Sequence, residues 1–218
     1  MKIKKNCSLF LLVFVCTLSV VTKDVFAARN SYFVMSETKS RNLKPFPKWT
    51  GVMDRFGKQT EIPDSQCGKK QYHPCVVKDW RKLIESVRNQ PLRKQLKAIN
   101  NWANKHPYII DQLNWGLEDY WETPYEFMTV NGDCEDYAIA KYYSLRALGV
   151  PEEDLRIIIV QDFNLGGIIH AILGVYDDGE LLILDNQIKQ IRPAMSIYHY
   201  RPIYGVNKDW WWAYTPRI

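Results

Sequence analysis

One cysteine stands in an acidic run, Asn131-Gly132-Asp133-Cys134-Glu135-Asp136-Tyr137, where the chain turns helical. Asp133 is a good N-cap, Asp136 takes a capping-box position three residues on, and Gly149 with Pro151 ends the helix. Cys134 is then the first helical residue. There the helix dipole and the free backbone N–H groups favour a thiolate, and the same N–H groups can stabilise an oxyanion once that thiolate attacks a carbonyl. A thiol nucleophile also needs a base within reach and a group to orient the base.

The chain has four histidines: His73, His106, His170 and His199. Only His170 lies inside an apolar strand pattern, Ile168-Ile169-His170-Ala171-Ile172-Leu173; a lone histidine in such a place is commonly a core residue bonded to a backbone carbonyl. The hairpin that follows favours more. With Asp178-Gly179 as a two-residue loop, Ile172 pairs with Asp185, and Asp185 becomes a diagonal neighbour of His170 on one face, at ~7–8 Å between backbones. Placing the loop at Asp177-Asp178 would make them direct partners, whereas a three-residue loop would put them on opposite faces. Asp185 also closes the run Leu181-Leu182-Ile183-Leu184, where a carboxylate is costly unless paired. These residues predict a Cys134–His170–Asp185 triad.

Asp133, Glu135 and Asp136 crowd the thiol with negative charge, which should raise its pKa. They either point away as a cap and solvated helix start, or bind a hard cation such as calcium that neutralises them. The run does not match the EF-hand spacing.

The elements that must position these groups follow from the rest of the chain. Residues 1–27 have a lysine-rich start, an apolar core and Val25-Phe26-Ala27, which predicts a cleaved secretory signal, with no transmembrane segment afterwards. The signal removes four lysines and one aspartate, so 29 basic and 24 acidic residues become 25 and 23, a net charge of +2. That balance carries no nucleic-acid footprint. Cys7 and Cys16 leave with the signal. Of the remaining three, Cys67 and Cys75 can close a short disulfide, with a zinc pair as the weaker alternative, and Cys134 is left unpaired.

Residues 28–77 read as an irregular N-terminal arm packed by Phe46, Trp49, Met53 and Phe56. Helical spacing begins at Val77 (Trp80, Leu83, Ile84, Val87) and again after Pro91 (Leu92, Leu96, Ile99, Trp102, Ala103). Residues 108–130 predict a short helix and a long loop. Strand-like runs follow at 155–161, 168–176, 181–184, 203–206 and 210–214. Helices first and antiparallel strands after predict an α+β fold, with residues 78–218 as the catalytic domain. Trp210-Trp211-Trp212 reads either as a partner-binding surface or as a terminal strand with Trp211 on one face and its neighbours on the other.

The run from Gly132 to Tyr142, with Leu145 and Leu148-Gly149-Val150-Pro151, resembles the bacterial transglutaminase-like cysteine peptidases of the LapG type. The likeness extends back through Trp115-Gly116, Asp119-Tyr120-Trp121 and Thr123-Pro124-Tyr125-Glu126-Phe127, and forward to His170 and Leu184-Asp185-Asn186. It implies a papain-like, transglutaminase-type fold with N-terminal helices packed on an antiparallel sheet, Cys134 as nucleophile, His170 as base and Asp185 as its orienter. It further implies a periplasmic, calcium-dependent endopeptidase that cuts a large surface adhesin and releases cells from biofilm. Its implied partner is an inner-membrane cyclic di-GMP receptor that sequesters the protease, and its implied calcium ligands are Asp133 and Glu135, with Asp136. Asp119 is a further acid of the same segment. Gly166-Gly167-Ile168-Ile169, just before His170, departs from the family pattern. The same triad could serve a transglutaminase-like acyltransferase, or the fold a non-catalytic binding module.

Overall fold

A computed structural model describes residues 35–62 and 77–216. The predicted signal at 1–27 and the Cys67–Cys75 pair lie outside the described residues. The chain runs β1 (Met35–Ser40), α1 (Pro47–Thr60), α2 (Lys78–Val87), α3 (Leu92–Ala103), α4 (Asp111–Asn114), α5 (Pro124–Val130) and α6 (Cys134–Ala147). It continues with β2 (Leu155–Asp162), β3 (Ile168–Asp177), β4 (Glu180–Leu184), β5 (Arg192–Pro193), β6 (Tyr200–Val206) and β7 (Trp211–Pro216). The strands form one antiparallel sheet in the order β1-β7-β6-β2-β3-β4-β5. The helices pack on one face of it, and α6 lies against β3 and β2. No helix among the described residues is long and apolar enough to cross a membrane.

Helix α6 is buried nearly all round: Tyr137, Ala138, Ile139, Ala140, Tyr142 and Leu145 are all buried. It joins Leu96 and Ile99 of α3 to Ile157, Leu173 and Leu184 of the sheet in one core. A central helix of this kind holds its first residue rigidly, which is what a nucleophile at that position requires.

Residues 35–62 are not irregular. They supply a strand and a fourteen-residue helix. Pro47 opens α1 as a first-turn proline, and Trp49, Val52 and Phe56 fall on one stripe. The prolines on either side and the polar residues between these aromatics hid the period. Trp49 and Val52 are fully buried, and Trp49 Nε1 donates at 2.8 Å to Asn207 O, 158 residues further along the chain. Trp49→Ala is therefore expected to destabilise the chain by about 3–5 kcal/mol, read from denaturant unfolding. A loss under about 1 kcal/mol would mean that α1 is a dispensable appendage.

The β3–β4 hairpin has the predicted register. Asp177 pairs with Glu180, leaving Asp178-Gly179 as the loop, with φ of 51° and 80°. Both are positive, as the hairpin turn of this length demands. The tryptophans divide across the last strand. Trp211 packs with Phe46 against the helical core, and Trp212 lies in the core on the far face, with the Arg156 guanidinium 3.9 Å from its ring.

Candidate active site

Cys134 is the first residue of α6, with Asp133 as N-cap and Asp133 N donating to Asp136 Oδ2 at 3.0 Å. Gly132 makes this turn possible: a Cβ there would collide with the Asp136 carboxyl. The thiol is partly buried and its Sγ lies 3.2 Å from Glu135 Oε2. Burial, then the charges of Glu135 and Asp133, push the thiol well above its ordinary pKa, against the Ala171 backbone N–H.

His170 sits on β3, buried, with Nε2 at 2.9 Å from Asp185 Oδ1. Asp185 follows β4 and is buried too. Tyr200 OH donates to its Oδ2 at 2.6 Å, and Gln187 N donates to its Oδ1 at 2.9 Å. Burial opposes the Asp185 charge, but the hydrogen bond and charge of His170, with the bonds from Tyr200 and Gln187, hold the carboxyl below its usual range. Gln187 Nε2 lies 3.2 Å from His170 Nδ1, and Asn104 Nδ2 donates to Asp185 O at 2.7 Å. Cys134 and His170 line one cavity of about 460 Å³, together with Asp111, Asp119, Asp133 and Glu135. The structure thus brings the three predicted residues to one place.

Sequence reasoning missed the groups that surround this set. Tyr200 gave no signal because its strand was predicted to begin only at Ile203. Gln187 and Asn104 act on His170 and on the Asp185 carbonyl from a loop and from the C-cap of α3, where no periodicity marks them.

The acids gather more members than the run itself. Ligand atoms of Asp111, Asp133 and Asp136 lie within 4.8 Å of one another, as do those of Asp111, Asp119 and Glu135. Burial is the first cause of raised carboxyl pKa values here, and mutual repulsion adds to it: Asp111 rises to about 6, Glu122 to about 8, and Asp133, Glu135 and Asp136 also rise. Asp111 Oδ1, Asp133 Oδ1 and Glu122 Oε2 are buried without a hydrogen-bond partner among the described residues. Hard oxygen donors, crowded and under-bonded, fit a cation such as calcium. Asp111, at the start of α4, was not foreseen; an acid opening a four-residue helix reads as an ordinary first-turn residue.

The β2–β3 connection forms the rim before His170. A short 3-10 turn over Phe163–Leu165 leads to Gly166 and Gly167, with φ of 76° and 86°. Side chains resist that conformation, so the glycines belong to the turn. Ile168 and Ile169 beyond them remain exposed.

The sequence profile of the bacterial transglutaminase-like cysteine proteinases (BTLCP) matches residues 62–214. The chain belongs to this family. Among solved structures of the same fold, Legionella pneumophila LapG is 30% identical, with a TM-score of 0.58 over 74% of this chain and 87% of that one. Its calcium-bound form is 31% identical, with a TM-score of 0.59 and the same coverage. An EGTA-treated form, also 31% identical, gives 0.56 over 72% and 81%. No curated protein sequence matches the chain. In this transglutaminase-like proteinase, a helix-borne cysteine and a sheet-borne histidine line one cavity.

Proposed function

We propose that this transglutaminase-like cysteine proteinase is a periplasmic, calcium-dependent endopeptidase that cleaves a large surface adhesin to release cells from biofilm. The observation that carries the catalytic part is the His170–Asp185 pair at 2.9 Å beside a cavity that also holds Cys134 at a helix start. In this reading Cys134 attacks the scissile carbonyl and His170 takes the thiol proton, then returns it to the leaving amine. Asp185 fixes the imidazole through Nε2, and Tyr200 fixes Asp185. A water then hydrolyses the thioester.

Asp133, Glu135 and Asp136, joined by Asp111 and Asp119, would hold the calcium, and the ion would cancel the negative charge that opposes a thiolate. The existence of a calcium-bound form of Legionella LapG supports calcium as the cation. Export through a signal over residues 1–27 and sequestration by an inner-membrane cyclic di-GMP receptor complete the proposal.

Incubation with fragments of the organism's large adhesins, with and without an added amine, tests the activity by mass spectrometry. A new chain end from hydrolysis is the expected product. An amine-linked product with no cleaved chain would instead make the protein an acyltransferase.

A further inference from the structure

Away from the catalytic cleft, a second cavity of about 460 Å³ lies between α3 and the β4–β5 end of the sheet. Its floor is apolar: Leu96 of α3 and Leu182 of β4 are buried there, with Ile191 half-buried beside them. Its walls are basic. Arg93 and Lys97 stand on α3, Lys189 stands on the loop that leads into β5, and no acidic side chain lines the space. The two cavities share no lining residue, and the catalytic one has the opposite character, with Asp111, Asp119, Asp133 and Glu135 in its wall.

The positive charge extends beyond the lining itself. Helix α3 carries Arg93, Lys94 and Lys97 with no acid, and residues 186–193 carry Lys189 and Arg192 with no acid. Arg93 is already shared by Asp177 and Glu180 beside the β3–β4 turn. Lys97 and Lys189 are exposed and make no ion pair among the described residues, so their charge is free to attract an anionic partner. Asn100 Nδ2 donates to Lys189 O at 3.2 Å, which holds that loop against α3. The groove is open along the sheet edge, because β5 is two residues long and is the last strand. No lining residue is aromatic, so the groove offers no platform on which a nucleic-acid base stacks. The chain's own segments 1–34 and 63–76 carry more cations than acids and do not complement it.

We propose that this groove is a docking site, separate from the catalytic cavity, for an acidic polypeptide segment that carries an aliphatic anchor. The anchor rests on Leu96, Leu182 and Ile191, while flanking carboxylates meet Lys97 and Lys189. The two features select together. An acidic segment without the anchor keeps only salt-screened surface attraction, and an apolar one without acids leaves both lysines unpaired. Because the groove and the cleft share no wall, a docked segment leaves Cys134 uncovered. The inference is independent of which bond that thiol attacks.

The test is fluorescence anisotropy with the full chain and a dye-labelled, capped peptide of two leucines flanked by aspartates and glutamates. The Cys134→Ala chain serves as receptor, so that cleavage of the probe cannot intervene. Saturable binding is expected, weakened about tenfold or more when serines replace the leucines or lysines replace the acids. Lys97→Glu combined with Lys189→Glu should weaken it by about the same factor and leave the thermal melt unchanged, since both side chains are exposed. Lys58→Glu combined with Lys82→Glu makes the same charge change on α1 and α2 and should leave binding as it was. An equal loss in both double variants would mean attraction to net charge alone and overturns the proposal. Absence of saturable binding overturns it, and so does a single-stranded oligonucleotide of equal charge that binds as tightly. Self-association of the chain that Lys97→Glu with Lys189→Glu abolishes would assign the groove to a second copy and overturn it as well.

Discussion

Cys134→Ala is expected to abolish peptide cleavage, lowering kcat/KM by about 10⁴-fold or more while leaving the thermal melt unchanged. The size follows from removing the atom that forms the covalent intermediate, a loss the rest of a triad cannot repair. The unchanged melt follows from the site: the thiol is partly buried at the edge of the core, and its side-chain hydrogen bond is with the neighbouring Glu135. Deleting it relieves a donor–carboxylate contact in a crowded acidic pocket and leaves the apolar stripe of α6 in place. Hydrolysis of adhesin fragments within tenfold of wild type would require another nucleophile and would end the assignment of Cys134.

Removing calcium is expected to have the next largest effect, and its direction depends on pH. Asp111 and Glu122 have carboxyls raised to about 6 and about 8, above the ~4 of the unfolded chain. Without the cation, the folded state binds more protons than the unfolded state across that window. The stability these groups contribute is therefore complete below pH ~4 and is lost as pH rises through 6 and then 8. The EGTA-treated protein should melt progressively lower from pH 5 to pH 8. Calcium at about 100 times its Kd adds about 2.7 kcal/mol, which for a chain of this size raises Tm by roughly 5–11 °C. That gain should be greater near pH 8 than at pH 5, because by then Asp111 has lost its proton and Glu122 is losing its own. Cleavage should disappear with chelation and return on calcium add-back. A melt and a cleavage rate indifferent to chelator would return Asp133 and Glu135 to the role of helix cap.

The sheet-borne half of the site was legible because it depends on short-range rules. A two-residue Asp-Gly loop fixes the hairpin register, and the register alone places His170 and Asp185 on one face. Cys134 was legible for the same reason, since cap, helix start and helix end all lie within twenty residues of it. What sequence reasoning lost was non-local. Tyr200 reaches Asp185 from a different strand, Asp111 reaches Asp133 across the loop that bridges Tyr108 to Gly132, and Lys141 looked like an ordinary polar position on a helix expected to have a solvent face. Helix α1 was lost to the prolines that flank it, although its stripe of Trp49, Val52 and Phe56 has helical spacing.

The pairing of β1 with β7 also fixes an order of events. The inner strands β2, β3, β4 and β6 come from one continuous stretch and can find each other as soon as it is made. The first strand, by contrast, has no neighbour until residues 211–216 have been synthesised, and Trp49 has no acceptor until Asn207 has been. Tyr204, which lines the cavity beside Cys134, lies on β6, the strand that β7 pairs with. A chain stalled before β6 can therefore assemble β2, β3 and β4 yet lacks the Tyr204 wall of its cleft. Synthesis of β6 becomes a late step in making the cavity, and a copy stalled before it is left without a finished groove in which to hold a substrate.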